Sequence, residues 1–413
     1  MNVTFLSTHL DSALALYSQR CQQQQTALVD AQVMARQEKL LWTHLHVLSR
    51  CAPIEMEPAK EAEVFVDLCS RFLAPSAGVQ QEGYDLALSL LQKSGPNRQG
   101  AFQALALLPP PEKDSRLLDL YRQDKALRAL LFDLWREQAW HVPSGLVSVA
   151  ELRGHNTDLQ IAALRYAASQ PKIGLELFAT YYQGLLSGAA RPDKSGHLLA
   201  TALWGGLLRG EKRLAKPLWR CIESETEPAD LYHLLRLGAI MALTEIIPVI
   251  KHFGQQHPEA AAELLALHGT GPALQSLHDL NRTCEPSSGL RDAWQWVSGK
   301  RLISGPRLQV VPTGEKTAPP PETNTIEHWW QQHQTQLQDG QRLLLGSVLS
   351  KDYLIRQSRT WAGRYSRNLL DLLAYTIGSP LGVTANAVQF KRLQAIEKNS
   401  GITAPVEEEH ASA

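Results

Sequence analysis

The sequence predicts an all-α protein, an α-solenoid of helical hairpins with an N-terminal helix pair and a small C-terminal helical module. Three observations carry this. Leu, Ala and Gln dominate the 413 residues while Val, Ile and Thr are thin and aromatic residues make up 7%, so helix formers outweigh strand formers. Proline and glycine interrupt the apolar periodicity at short, regular intervals. One apolar stripe recurs at a nearly fixed offset.

Taken in order, residues 1–55 read as an antiparallel helix pair, with Leu10, Ala13, Leu14 and Tyr17 on one apolar face and Leu41, Leu45 and Leu48 on a second segment. The Gln22 to Gln25 run is a solvated helix face. Residues 56–302 read as helical repeats. Helical stretches are expected near 58–74, 79–93, 98–108 and 114–138, cut by Pro75, by Gly95-Pro96 and by Pro109-Pro110-Pro111, because proline lacks the backbone donor a helix interior needs. Further on, Leu199-x-x-Ala202-Leu203-x-x-Gly206 aligns with Leu231-x-x-Leu234-Leu235-x-x-Gly238 and with Ala261-x-x-Leu264-Leu265-x-x-His268. The offsets are 32 and 30 residues. Apolar residues at i, i+3 and i+4 form one stripe of a helix, and a small residue at i+7 permits close approach of a neighbour. A hairpin carrying such a stripe cannot bury it alone, so stacked copies must share one core. A non-repetitive helical bundle is the alternative.

Residues 303–325 combine Pro, Gly, Thr and charge with little to bury, and read as an interdomain linker. A helical module follows over 326–398, opening on Trp329-Trp330 and punctuated by Gly340, Gly346 and Gly378-Ser379-Pro380. Residues 399–413, with Glu407-Glu408-Glu409, read as a disordered tail.

Charge excludes some function classes. The 41 basic and 41 acidic residues balance, so no global field draws the chain onto nucleic acid or anionic lipid. The first twenty residues lack a signal-peptide pattern and no window approaches 18 uncharged apolar residues, so a soluble, cytoplasmic protein with no membrane contact is expected. Cys21, Cys51, Cys69, Cys221 and Cys284 are odd in number and never form C-x-x-C, which reads as reduced core fillers.

Catalytic motifs are missing where they come closest. At Ser298-Gly299-Lys300 the phosphate-loop pattern fails, because Trp294 holds the position of the first glycine and Arg301 that of the Ser or Thr. Neither G-x-S-x-G nor H-E-x-x-H occurs. His44 and His46 point to different sides of one helix, and His252 and His257 are five apart, so neither pair is a metal site; no metal ligand and no cofactor is assigned. Basic residues cluster at Arg209, Lys212, Arg213, Lys216 and Arg220, and again at Arg356, Arg359, Arg364 and Arg367. The second cluster is interleaved with Tyr353, Trp361 and Tyr365. Its plain reading is a solvated helix face with aromatics turned inward; its functional reading is a contact with an acidic protein surface or, less in keeping with the neutral chain, with nucleic-acid bases. Trp329 and Trp330 divide similarly, one ring packing inward and the second open as an interface anchor, or both in the core.

The opening Leu10-Asp11-Ser12-Ala13 through Tyr17 and Arg20, followed by Glu38, Leu41, His44-Leu45 and Leu48, resembles the first helix pair of a proteobacterial family of HEAT-like repeat proteins often encoded near type VI secretion spike genes. Trp329-Trp330 followed by Gly340-Gln341-Arg342-Leu343-Leu344-Leu345-Gly346 resembles that family's tryptophan pair and R-x-L-L-G module after a proline-rich linker. The repeats between depart from the family in lacking most Asp, Pro and Arg turn residues. The resemblance implies a non-enzymatic adaptor or chaperone that binds a protein partner, a spike component or an effector; the candidate contact residues are Trp329, Trp330 and Arg342, with Arg356, Arg359, Trp361 and Arg364 from the second basic cluster. An enzyme or lyase on a helical repeat, acting on a small ligand, and a nucleic-acid-binding repeat are the competing expectations.

Overall fold

Prolines, glycines and short polar caps set the helix ends, and in the computed structural model the chain is predominantly helical with almost no sheet. Residues 3–51, 60–110, 115–152, 156–188, 191–192, 194–285, 287–300, 302, 325–335, 337 and 340–401 are described. The chain divides into two compact units. Unit 1 holds Met1–Thr180, Leu208–Gly210 and Ile355–Ala413; unit 2 holds Tyr181–Leu207 and Glu211–Leu354.

Unit 1 opens with α1 (Val3–Gln25) and α2 (Ala31–Ser49). Asp30 starts α2 by accepting the Gln32 amide at 2.7 Å, satisfying a donor that the helix itself leaves open. The pair is antiparallel, since His9 meets His44 at 2.8 Å while Arg20, further along α1, reaches back to Glu38 at 3.0 Å. Ala13, Tyr17, Leu41, Leu45 and Leu48 are buried, as the apolar spacing requires. There follow α3 (Glu61–Phe72), α4 (Ala77–Leu91), α5 (Pro96–Leu107), α6 (Arg116–Gln123), α7 (Arg128–Gln138), α8 (Val149–Leu152) and α9 (Thr157–Ser169). α3 packs on α5, α5 on α7 and α7 on α9, with α4 against both α3 and α5. The stretch expected as helical over 114–138 is interrupted. Asp124, at φ −115° and ψ 101°, ends α6, and its side chain accepts the Ala126 amide at 2.9 Å to open a short 3-10 turn before α7.

The chain passes through α10 (Glu176–Leu186) into unit 2, which is built on α11 (Gly196–Leu207), α12 (Ala215–Glu223), α13 (Pro228–Ile240), α14 (Ile247–Phe253), α15 (Pro258–His268), α16 (Gly271–Thr283), α17 (Ser288–Ser298) and α18 (Thr325–His333), and ends within α19 (Lys351–Thr360). α11 packs on α13, α13 on α15 and α15 on α17. The three aligned stripes lie on α11, α13 and α15. Leu199, Ala202, Leu203, Leu234, Leu235, Ala261, Leu264 and Leu265 are buried, and Leu231 is half-buried. Close approach at the i+7 position is real. A Cβ on Gly238 would come within 2.9 Å of the Ile246 side chain, and one on Gly206 would overlap the Tyr182 hydroxyl. α15 carries His268 there instead, fully buried, with Nε2 donating to the Leu243 carbonyl at 3.0 Å and Nδ1 accepting from the Thr270 hydroxyl at 2.8 Å. Burial pulls its pKa down to about 4, so the ring is neutral at pH 7.

Residues 326–398, expected as one module, are shared between the units: 326–354 belong to unit 2 and 355–398 to unit 1. In unit 1 the two-residue strand Trp361–Ala362 pairs antiparallel with Val29–Asp30, and the Arg364 and Tyr365 amides donate to the Thr26 and Ala27 carbonyls at 2.7 and 3.1 Å. Gly363, at φ 90°, is needed there because a Cβ would overlap the Thr26 carbonyl. α20 (Ser366–Ile377) and α21 (Gln389–Ser400) complete unit 1, α21 lying on α2. Residues 399–401, expected to open a tail, finish α21 and its glycine cap; the linker over 303–324 and residues 402–413 lie outside the described residues. Among the described residues no helix is long and apolar enough to cross a membrane.

Candidate partner-binding surface

α18 presents its apolar stripe to unit 2, and both tryptophans go with it. Trp329 is 7% and Trp330 5% exposed, so of the two readings it is the one with both rings in the core that the structure shows. Trp329 meets Trp294 edge-on with centroids 5.7 Å apart, and Trp330 stacks on His278 at 5.6 Å. His278 Nε2 lies 2.6 Å from Glu327 Oε2, a hydrogen bond that holds the Glu327 carboxyl below the usual carboxylate range.

Arg342 belongs to the backbone of the same unit. It precedes a tight hairpin in which Leu343–Leu344 pair with Ser347–Val348, turned by Leu345 and Gly346 at φ 48° and 79°. Positive φ at both central positions is the turn geometry that matches strand twist. The Leu345 and Gly346 amides donate to the Trp296 and Val297 carbonyls at 2.9 and 2.7 Å, seating the hairpin on the last turn of α17. From this base the Arg342 guanidinium reaches four carbonyls: His268 at 3.0 Å, Leu267 at 2.8 Å, Ile240 at 2.8 Å and Ala239 at 3.1 Å. These belong to the final turns of α13 and α15, where a helix has no donors of its own left and its dipole is negative. Arg342 is therefore a clamp across two helix ends, and its donors are committed inside unit 2.

The same device recurs. Arg209 donates to the carbonyls of Ala167, Ala168, Gln170 and Ile173 at the end of α9, at 2.6 to 3.1 Å; burial pulls its pKa down to about 10, which leaves it cationic at pH 7. Arg98, Arg128 and Arg220 each cap one carbonyl, of Leu91, Tyr121 and Leu185 respectively. The first basic cluster is thus largely structural. Arg209 and Arg220 cap helices, Arg213 pairs with Glu211 at 3.1 Å, and Lys212 and Lys216 remain exposed.

The second basic cluster is different. In unit 1 Arg356, Arg359 and Arg364 are exposed, Arg359 at 3.1 Å from Glu397, and Arg364 lies over the Tyr365 ring at 5.1 Å. Tyr365 is buried and Trp361 half-buried, its Nε1 donating to Gln357 at 2.9 Å. In unit 2 the Tyr353 hydroxyl donates to the Leu345 carbonyl at 3.0 Å. With Tyr365 turned inward, the outward face of this stretch is a set of guanidinium groups edged by part of one indole.

Among the described residues no group of three or more His, Cys, Asp or Glu is placed to hold a metal. The histidines do form pairs: His9 with His44, and His197 stacked on His233 with centroids 3.6 Å apart. The five cysteines form no disulfide; Cys69 and Cys221 are buried, and burial raises both thiols, Cys221 to about 11. Lys391 drew no notice in the sequence. The fold brings it into one cleft with Arg20, residues 371 positions apart in the chain (391 − 20), and no local motif announces such a meeting. Comparison with protein-family models, with curated proteins and with solved structures gives no match to this chain.

Proposed function

We propose that this protein is a non-catalytic, protein-binding scaffold: a HEAT-like solenoid acting in the cytoplasm as an adaptor or chaperone of a type VI secretion system, on a spike component or an effector. The observation that carries the scaffold reading is the packing of alternate helices in succession, α3 to α9 in one unit and α11 to α17 in the other. Such a succession builds one layer from small, nearly independent pieces and offers a long contact surface. Arginine clamps support it, since they tie helix ends to the segments that follow without occupying the outer face. The secretion assignment rests on the resemblance of the two ends of the chain. The contact surface we assign is the exposed Arg356, Arg359 and Arg364 with the Trp361 edge, which suits an acidic protein patch.

The test is affinity purification of the tagged chain from its native cytosol, compared with a triple charge-reversal variant at Arg356, Arg359 and Arg364. A spike, tip or effector protein enriched over an untagged control and lost at least tenfold in the variant is the expected result. Recovery of nucleic acid or a small molecule alone, or of no secretion component, overturns the reading.

A further inference from the structure

A shallow cleft lies within unit 1 where the residues leading into α21 meet α1, α3, α5 and α7. Phe65, Phe102 and Val388 give it an apolar wall. Arg20, Glu137 and Lys391 supply the charges. Two of the three are already engaged by the protein. Arg20 donates to Glu38 at 3.0 Å and to the Asn386 carbonyl at 2.7 Å, while the Glu137 carboxylate accepts from the Thr384 hydroxyl and from Arg136 at 3.4 Å.

Lys391 differs. It is half-buried, it has no hydrogen bond or ion pair among the described residues, and burial lowers its pKa. Drawing an ammonium even partly out of water without a counter-charge is unfavourable, so an anion in the cleft would improve its surroundings. Gln103, also on the cleft wall, has an amide without a hydrogen-bond partner among the described residues. A cation and an amide donor beside an apolar wall describe a receptor for an anion with a hydrocarbon attached. A carboxylate offers the acceptor oxygens that both groups lack. Only part of the space is enclosed, which fits a terminal carboxylate and a few carbons better than a nucleotide.

We propose that this cleft binds a carboxylate on an apolar stem, with Lys391 as its counter-ion, Gln103 as a second donor, and the Phe65, Phe102 and Val388 wall around the stem. The ligand is either a free short-chain acid or the C-terminal residue of a polypeptide. The site does not depend on the scaffold reading.

Calorimetric titration of the full chain separates these sources. The probes are hexanoate, hexanol, a capped hexapeptide ending in Leu with a free carboxylate, and the same peptide amidated. Saturable binding of hexanoate or of the free-acid peptide is expected, with hexanol and the amide silent. Lys391→Met should weaken it at least tenfold while melting no lower than wild type, because the change removes an unpaired cation. Gln103→Ala provides a second, milder loss at a position that does not bear on folding of the core. The proposal is overturned if neither carboxylate binds, if the uncharged analogues bind equally well, or if Lys391→Met leaves affinity unchanged.

Discussion

His268 shows how one residue can be both a packing element and a liability. On α11 and α13 the equivalent position is glycine, where the neighbouring side chain comes close; on α15 the site holds an imidazole whose two nitrogens are both satisfied. The neutral ring fits this donor-and-acceptor environment and the cation does not, because protonated Nδ1 could no longer accept from Thr270. The folded-state pKa, about 4, lies below the ordinary value near 6.5, so the folded protein binds this proton less readily than the unfolded chain. Stability from His268 is therefore complete above pH ~6.5 and is lost as pH falls toward 4, by roughly 3 kcal/mol over the whole range. Chemical denaturation of wild type and of His268→Gln at pH 7.5 and 4.5 should show the larger loss in wild type. Equal losses would mean that the ring carries its proton in the folded state. The sequence aligned this histidine with two glycines and so marked its place in the stripe, but its lowered pKa comes from burial, which outweighs the opposing hydrogen bond to the Leu243 carbonyl, and no alignment of the chain on itself can supply that.

The helix starts and stops that depend on proline or glycine were legible: Pro96 opens α5, and Gly299 and Gly378 end α17 and α20 in the left-handed conformation. The stop at Asp124 was not, because an aspartate inside an apolar period looks like any solvent-facing residue until its side chain turns back on the Ala126 amide. The clamps were equally hidden. Arg342 lies 102 and 103 residues beyond the Ile240 and Ala239 carbonyls it binds, and nothing in the Gly340 to Gly346 stretch, whose resemblance implies a partner contact, announces helix ends so far away in the chain. Replacing it tests the assignment. Arg342→Met should remove the guanidinium donors from four helix-end carbonyls, of which Ala239 keeps the Ala242 amide, and destabilise unit 2 by about 3 kcal/mol in urea unfolding, while Arg342→Lys, with three donors at one point, falls between. A Met variant as stable as wild type would show that the clamp adds nothing to unit 2.

For the molecule as a whole, the division into two units is the feature least visible beforehand. The sequence places a boundary at the proline-rich stretch and a module after it, whereas the structure gives 326–354 to one unit and 355–398 to the other. The contacts that draw the second segment into unit 1 include a two-residue strand pair, the Glu38 carboxylate accepting the Gln389 amide at 2.8 Å, and Ala362 packed with Ala31 and Met34. None of them is long enough to leave a periodic signal. A chain shortened to end at Ser350 should lose amide-exchange protection across α1 and α2 by tenfold or more while keeping it in α13 and α15; unchanged protection in α1 and α2 would show that the pair stands without its partner segment. The strand pair also dictates a timetable. Val29 leaves the ribosome more than three hundred residues before Ala362, its partner, and at ordinary synthesis rates the wait is on the order of tens of seconds. During that wait Ala31 and Met34 lack the cover that Ala362 gives them, and the nascent α1–α2 pair is open to chaperones and to neighbouring chains at that edge.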